Sequence, residues 1–423
     1  MGYFVYNALL YIALTAFSPV IAWYALTKPK YKEGFWKKLG FGLPARGAKT
    51  IWLHAVSVGE VMAAEPLIKA LKEKTALPVT LSVTTATGRE VAQKRLGSQV
   101  AVVHFPYDFP GAARRSVRAI NPAAFVMVDT EIWPNVIREC KRSGAAVILA
   151  NGRISDKSYP KYIRLKWFMR EVLGIIDICL MQGEEDTARI TAMGADAAKV
   201  KTIGNLKYDK PCEPVDAAQR EQLRRSLGIS PEEKVFFLGS VHEGEEDAIK
   251  AFLEVKKNVG ALRLVIAPRR IENIGWIDRA LDGSGLHAVR KTSLAPNPGH
   301  DPLIVPVIDT FGELAKLYAV ADVAFAGGSL IPHGGQNPLE PAAHGVPVLF
   351  GPHMTNFKDA ARSLLSADAA WTAQSESEIA ERLSALLSDN TARLAAGEAA
   401  LKAVEANRGA ASRSAEIIAG LIK

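Results

Sequence analysis

From Ile51 onward the chain alternates short apolar runs with stretches whose apolar residues recur at helical spacing. The runs Ile51–Ala55, Val79–Val83, Val100–Phe105, Ala124–Val128, Ala146–Ala150 and Ile176–Met181 read as buried strands. Stretches between them, such as Val61–Glu73 and Asn135–Arg142, read as amphipathic helices. This alternation predicts a parallel sheet with helical crossovers, the doubly wound α/β architecture. The pattern lapses at Asp209-Lys210-Pro211-Cys212-Glu213-Pro214, where two prolines and the loss of period mark a linker over 209–214. It restarts with Val235–Gly239, Leu262–Ala267, Leu303–Val307, Val323–Ala326 and Val346–Phe350. Two similar halves, 49–208 and 215–423, predict a bilobal protein with a cleft between the lobes. The second half is expected to close in Ala-rich helices from Ser377 to Lys423.

Ahead of the first strand, Met1 to Thr27 carries no charged side chain, and Tyr3–Leu26 is long enough to span a bilayer as a helix. Tyr3, Tyr6, Trp23 and Tyr24 lie toward its ends, where aromatic belts sit. No basic region precedes it and bulky aromatics fill the cleavage zone, so it does not read as a secretory signal. Lys28, Lys30, Lys32, Lys37 and Lys38 follow, and the positive-inside rule then places the remainder in the cytoplasm. Pro19 and several small residues also fit a kinked helix lying in the membrane interface. On either reading 1–27 is a membrane anchor. In the basic and aromatic segment 28–48, Phe35-Trp36-Lys37-Lys38-Leu39-Gly40-Phe41 suits a surface on anionic headgroups or a partly buried linker helix.

Composition narrows the partners. The 423 residues are 48% apolar and 23% charged, which fits a globular chain of two domains. A net charge of +8 and a pI near 9.2 suit nucleic acid, an anionic membrane face or phosphorylated substrates. No nucleic-acid module is present, and no basic tract is interleaved with aromatics, so the latter two are favoured. Cys140, Cys179 and Cys212 are unclustered and odd in number, which suits a reducing compartment and gives neither metal spacing nor a disulfide framework.

In doubly wound sheets ligands bind beyond the carboxyl ends of strands, so the loops after strands carry the candidate chemistry. Gly327-Gly328-Ser329-Leu330 and Gly334-Gly335-Gln336-Asn337-Pro338-Leu339-Glu340 lie between a strand and a short helix. Bare backbone N–H groups there could hold a phosphate and Glu340 could meet ribose hydroxyls, or the loop could be a tight packing turn. Ser57-Val58-Gly59-Glu60 follows the first strand; Gly59 is expected to let the backbone turn, and Glu60 to serve as a general base or only to complement the helix dipole. Asp129-Thr130-Glu131-Ile132-Trp133-Pro134 follows the fourth strand; acids there must be solvated or paired, and the stretch suits a helix cap or a divalent metal pair. No further ligand cluster supports a metal, and His242-Glu243-Gly244-Glu245-Glu246 lacks the second histidine of a zinc helix. Lys207 lies near the linker and Arg269 after a strand, both suited to an anion. Ser240, His242, Gly328 and Ser329 are further candidate cleft residues, and Phe311-Gly312-Glu313 opens a helix whose N–H groups suit an anion. Lysine and arginine would then neutralise charge in place of a metal, and no cofactor is expected.

Taken together, Ser57 to Glu60, Thr130 to Asn135, Asn205 to Asp209, His242 to Glu246, Pro268-Arg269, Gly312 to Leu314, Gly327 to Leu330, Asn337 to Glu340 and Gly351-Pro352-His353 closely resemble the 3-deoxy-D-manno-octulosonic acid (Kdo) transferases of Gram-negative bacteria. The resemblance implies the GT-B architecture, two Rossmann-like domains facing a cleft. It implies a CMP-Kdo donor, a lipid A precursor (lipid IVA) as acceptor, and a site at the cytoplasmic face of the inner membrane. It makes Glu60 the proton acceptor and gives Asp129 and Lys207 roles in transition-state stabilisation. Pro268, Arg269, Phe311, Gly312, Glu313, Asn337, Pro338, Leu339 and Glu340 match the CMP-binding segments. Two positions depart from the pattern: Asp129 stands where Glu is frequent, and Gln336 where His is frequent.

Overall fold

The computed structural model describes residues 1–27, 29–43, 47–209, 214–295 and 298–422; most of the expected linker, with Lys28 and Cys212, lies outside the described residues. Two compact units emerge, Met1–Lys210 with Asn407–Lys423, and Pro211–Ala406.

The N-terminal unit holds strands β1 (Thr50–Ala55), β2 (Val79–Val83), β3 (Ala101–His104), β4 (Pro122–Val128), β5 (Ala146–Gly152), β6 (Ile178–Met181) and β7 (Val200–Thr202). They form one parallel sheet in the order β3-β2-β1-β4-β5-β6-β7. Alternate residues serve opposite faces: Ile51, Leu53, Val126 and Ile148 join one core, and Trp52, Phe125, Met127 and Val147 the other. Both faces are buried under helices, which is why these strands read as unbroken apolar runs. The winding reverses between β1 and β4, and such a reversal opens a crevice at the carboxyl ends of those two strands.

The last helix, Ala410–Leu421, packs Ala411, Ala415 and Ile418 on this first sheet's core. The Asp209 carboxylate caps it, accepting from the Gly409 and Ala411 N–H groups. The end of the chain thus belongs to the first unit, where the sequence pattern had assigned it to the second half. An Ala-rich face packs on any apolar sheet, so its pattern carries no address.

The spanning anchor expected at 1–27 is corrected. A helix does cover Gly2–Thr27, but among the described residues no helix is long and apolar enough to cross a membrane. Its first two turns are committed to the N-terminal unit. Gly2 N–H donates to Glu171 at 2.9 Å, and the Tyr3 hydroxyl to the Pro134 carbonyl at 3.1 Å. The Tyr6 hydroxyl donates to Asp108 at 2.8 Å, and Asn7 accepts from Asn135 at 2.7 Å. Beyond them Thr15 and Ser18 add hydroxyls, and Pro19 interrupts the ladder. The outer side exposes Phe4, Leu9, Ile12, Phe17 and Trp23.

The C-terminal unit holds β8 (Lys234–Val241), β9 (Leu262–Pro268), β10 (His287–Arg290), β11 (Ile304–Val307), β12 (Val323–Ala326), β13 (Val348–Phe350) and β14 (Ala370–Thr372). These too form one parallel sheet, in the order β10-β11-β9-β8-β12-β13-β14, and the winding reverses between β8 and β12.

Candidate active site

In the N-terminal unit the carboxylates gather where the winding reverses. Ser57 caps the helix Val58–Lys74 and donates its hydroxyl to Glu60 at 2.9 Å. The Val56 N–H donates to the other Glu60 oxygen at 2.7 Å. This reciprocal cap fixes the Glu60 rotamer while leaving the residue half-buried. Burial pushes its carboxyl above the usual range, with the Asp129 charge adding and the hydrogen bonds from Val56 and Ser57 opposing. Gly59 plays no turning role: it lies inside the helix, and apart from its chain neighbours and its own helix's backbone a Cβ there would meet only Ser57 Oγ, at 3.9 Å.

Asp129 follows β4 with φ 58°, and Asn151 at the end of β5 has φ 55°, both in the left-handed region that non-glycine residues rarely occupy. Asn151 Nδ2 donates to Asp129 Oδ1 at 2.6 Å, and Gln182 Nε2 to the same oxygen at 3.4 Å. Asn151 Oδ1 accepts from the Leu206 N–H at 2.9 Å, and Asn205 Nδ2 donates to Gln182 Oε1 at 2.9 Å. The network joins the ends of β4, β5 and β6 to the 3₁₀ turn Leu206–Asp209 that carries Lys207. Burial raises the Asp129 carboxyl, and Lys207 opposes that rise most strongly. Glu131 accepts from Trp133 Nε1 at 3.0 Å and is pushed up to about 7, by burial first and then by Glu60. Three carboxyls therefore share one region and hold one another's protons.

Helix capping by the Asp129–Trp133 loop is excluded. The N–H groups of Asn135 and Val136, opening the helix Pro134–Arg142, donate instead to Asp108 at 3.0 and 2.9 Å. Asp108, Asn151 and Gln182 were all missed by the sequence reading. For Asn151 and Gln182 the signal was the one that found Asp129, a polar residue directly after an apolar run; Asp108 stands four residues beyond β3 and gave no such signal.

In the C-terminal unit the loops fall again at strand ends, but the phosphate reading of the first glycine loop is corrected. Glu245, only 1% exposed, accepts from the N–H groups of Gly328, Ser329 and Leu330 at 2.6, 2.9 and 3.0 Å, and from His242 at 2.9 Å. The backbone nest that would have held a phosphate is filled by the protein's own carboxylate. Ser329 is buried, donating to the Ala326 carbonyl and accepting from the Gly351 N–H. Its role is to join two strand ends.

Ser240 bulges out of β8 with φ 54° and delivers His242, whose ring lies 4.7 Å from that of His333. Gln336 Nε2 lies 3.5 Å from His242 Nε2. Burial lowers His242, and His333, Arg269 and Arg270 lower it further against Glu245. His242, Arg270, Asn273, Trp276 and His333 line a cavity of 130 Å³. Pro268 is the buried last residue of β9, and Arg269 is exposed just after it. Phe311 is 81% exposed and Gly312 has φ 91°. Glu313 is held by Lys291 at 2.6 Å and by the Thr310 hydroxyl; the helix it was expected to open is only Leu314–Leu317. Asn337 Oδ1 caps the Leu339 N–H at 3.1 Å and its amide reaches Glu340 at 3.5 Å, so Asn337, Pro338, Leu339 and Glu340 form one folded turn.

Residues 33–210 match the family model described as 3-deoxy-D-manno-octulosonic-acid transferase (kdotransferase). The chain is 34% identical over 426 residues to the 3-deoxy-D-manno-octulosonic acid transferase of Bordetella pertussis, covering 96% of this chain and 97% of that one. The chain belongs to the Kdo transferase family. As a Kdo transferase it is a glycosyltransferase. It is also 34% identical over 363 residues to a bifunctional glycosyltransferase/methyltransferase of Fusobacterium nucleatum, spanning only 55% of that longer protein. The two-Rossmann GT-B fold recurs in a glycosyltransferase from Rickettsia africae, with a TM-score of 0.61 at 11% identity, covering 89% of this Kdo transferase and 99% of that chain.

Proposed function

We propose that this Kdo transferase moves Kdo from CMP-Kdo to a lipid A precursor, lipid IVA, in lipopolysaccharide biosynthesis, with inversion at the anomeric carbon and without a metal ion. The observation that carries the reading is Glu60, a carboxylate fixed by its own helix cap and held above the usual carboxylate range.

Glu60 takes the proton from an acceptor hydroxyl, and that oxygen bonds to the anomeric carbon of Kdo. The bond from that carbon to the phosphate oxygen breaks, and CMP leaves with the electron pair. Arg269 and Lys207 offset the negative charge, with Asp129 fixing Lys207 through charge and through the Asn151–Gln182–Asn205 network. Pro268, Arg269, Phe311 to Glu313 and Asn337 to Glu340 hold the CMP moiety, with Glu340 at the ribose. The helix Gly2–Thr27 lies along the bilayer interface by its exposed Phe4, Leu9, Ile12 and Phe17, and the 28–48 segment meets anionic headgroups of the inner membrane on its cytoplasmic side.

Incubating the detergent-solubilised protein with CMP-Kdo, a tetra-acylated lipid A precursor and EDTA is expected to yield a product heavier by one or more Kdo residues in mass spectrometry. An intact precursor beside folded protein, with turnover appearing only on a UDP-sugar, would overturn the donor assignment. Loss of product on adding EDTA would overturn metal independence.

The rate is expected to rise with pH above the ordinary carboxylate range, because Glu60 must be ionised and burial holds its proton above that range. Asp129→Asn removes the like charge that adds to the Glu60 shift, so the acid limb of the kcat profile should move to lower pH. A move to higher pH would disprove the coupling.

A further inference from the structure

Tyr318, which the mechanism above leaves idle, lies in the 3₁₀ turn Tyr318–Val320 that leads into β12 and is only 2% exposed. Its ring packs 4.9 Å from that of Phe237, in a core of the C-terminal unit that also holds Val235 and Ala324. Its hydroxyl ends at Gly239, near the carboxyl end of β8, and a Cβ on Gly239 would run into it. Gly239 is not among the residues with positive φ, so no turn calls for glycine there; what it provides is the room that the hydroxyl fills. β8 and β12 flank the reversal of winding in this sheet, and open α/β sheets bind ligands at the carboxyl ends of such a pair. A polar group is thus carried from the core to the floor of that crevice. A hydroxyl placed there costs free energy unless something accepts from it, and phenylalanine would fill the core without that cost.

Glu340 is the carboxylate that the fold brings to this turn. Its helix, Leu339–Ala342, packs on Tyr318–Val320. Just beyond, the His344 Nε2–H donates to the Ala315 carbonyl at 2.7 Å and ties the same stretch to the helix Leu314–Leu317. Burial, and then the Glu340 charge, hold the Tyr318 proton well above the ordinary phenol range, so the phenol stays a donor at neutral pH. The Asn337 amide reaches Glu340 at 3.5 Å. A carboxylate that is to accept from ribose hydroxyls must stay ionised and aimed, and donors of its own protein serve both ends.

We propose that Tyr318 is a positioning residue of the donor site: its hydroxyl, admitted by Gly239, fixes the Glu340 carboxylate so that the ribose hydroxyls of the nucleotide can donate to it. This rests on the placement of Glu340 at the ribose given above. It adds that the preference for a ribonucleotide is set from beneath, by a core side chain that acts through Glu340.

The full chain in detergent is titrated calorimetrically with CMP and with 2′,3′-dideoxy-CMP, which lacks only the two ribose hydroxyls. Wild type should bind CMP more tightly by roughly tenfold or more. Tyr318→Phe keeps the ring and should bring CMP close to the dideoxy analogue, whose own affinity stays where it was. Glu340→Gln should narrow the gap likewise, and Tyr318→Phe added to it should cost nothing more. Gly239→Ala leaves the tyrosine in the chain and evicts its hydroxyl, so it should repeat the result and serves if the first variant does not fold. In transfer, Tyr318→Phe should raise the KM for CMP-Kdo by about the factor lost in CMP binding and leave kcat within a few-fold. A folded variant that discriminates as wild type does, or that weakens both nucleotides alike, overturns the proposal. A wild type indifferent to the ribose hydroxyls would strike the placement of Glu340 at the ribose, and the proposal with it.

Discussion

Glu60→Gln is expected to lower kcat by about 10²–10⁴-fold, the range that positioned general bases supply, with little change in donor affinity. The substitution isolates chemistry from structure. A glutamine oxygen can still accept from the Val56 N–H, which Glu60 meets at 2.7 Å, so the helix start survives. The amide cannot take a proton from the acceptor. Glu60→Ala removes the cap as well and should cost about 1 kcal/mol of stability in addition. Single-turnover rates with saturating donor, beside a thermal melt of each variant, separate the two effects. A glutamine variant within a few-fold of wild type would remove Glu60 from the chemistry and leave it only as a helix cap.

The second large effect is structural. Glu245→Ala strips one buried carboxylate from four backbone donors, the N–H groups of His242, Gly328, Ser329 and Leu330. Each was bonded to a charge, and each would be left in a site too enclosed for easy rehydration. The expected loss is on the order of 4 kcal/mol, which for a unit of this size lowers Tm by roughly 10 °C. Glu245→Gln should fall between, since its amide oxygen replaces some of the acceptor capacity while its NH₂ confronts an N–H. Calorimetry of the three proteins tests the order. A drop of less than about 3 °C for the alanine variant would mean that the loop satisfies its donors elsewhere.

The glycine loop shows how far the sequence could be read. An apolar run followed by glycines marks a strand end, and β12 and the loop after it lie where that pattern puts them. What fills the loop was hidden, because Glu245 stands over eighty residues earlier in the chain and its own neighbourhood looks like an ordinary helix start. The central strands were legible because both of their faces are buried. The edge strands β7, β10 and β14 were not: Val200–Thr202, His287–Arg290 and Ala370–Thr372 are short, partly polar and ordered by the neighbour they pair with. Among the candidate site residues, Glu60, Asp129 and Glu131 could be found singly as acids after strands. Their mutual influence, and the Asn151–Gln182 bridge to Lys207, depend on strand order, which no local pattern encodes. Likewise an uncharged first helix announced an apolar surface, and gave no sign that its opening turns were already occupied.

That occupancy bears on how the protein should be handled. Tyr3, Tyr6 and Asn7 tie the first helix to Pro134, Asp108 and Asn135; Pro134 and Asn135 begin the helix directly after Glu131 and Trp133, and Asp108 caps it. The helix that offers the greasy exterior is thus also a brace for the acidic turn. Trimming the N-terminus to gain a water-soluble preparation would loosen the turn at the same stroke, and a dead truncated enzyme would say nothing about whether turnover needs a bilayer. Polar replacements at Phe4, Leu9, Ile12 and Phe17, all on the outer side, would reduce the greasiness and keep the brace.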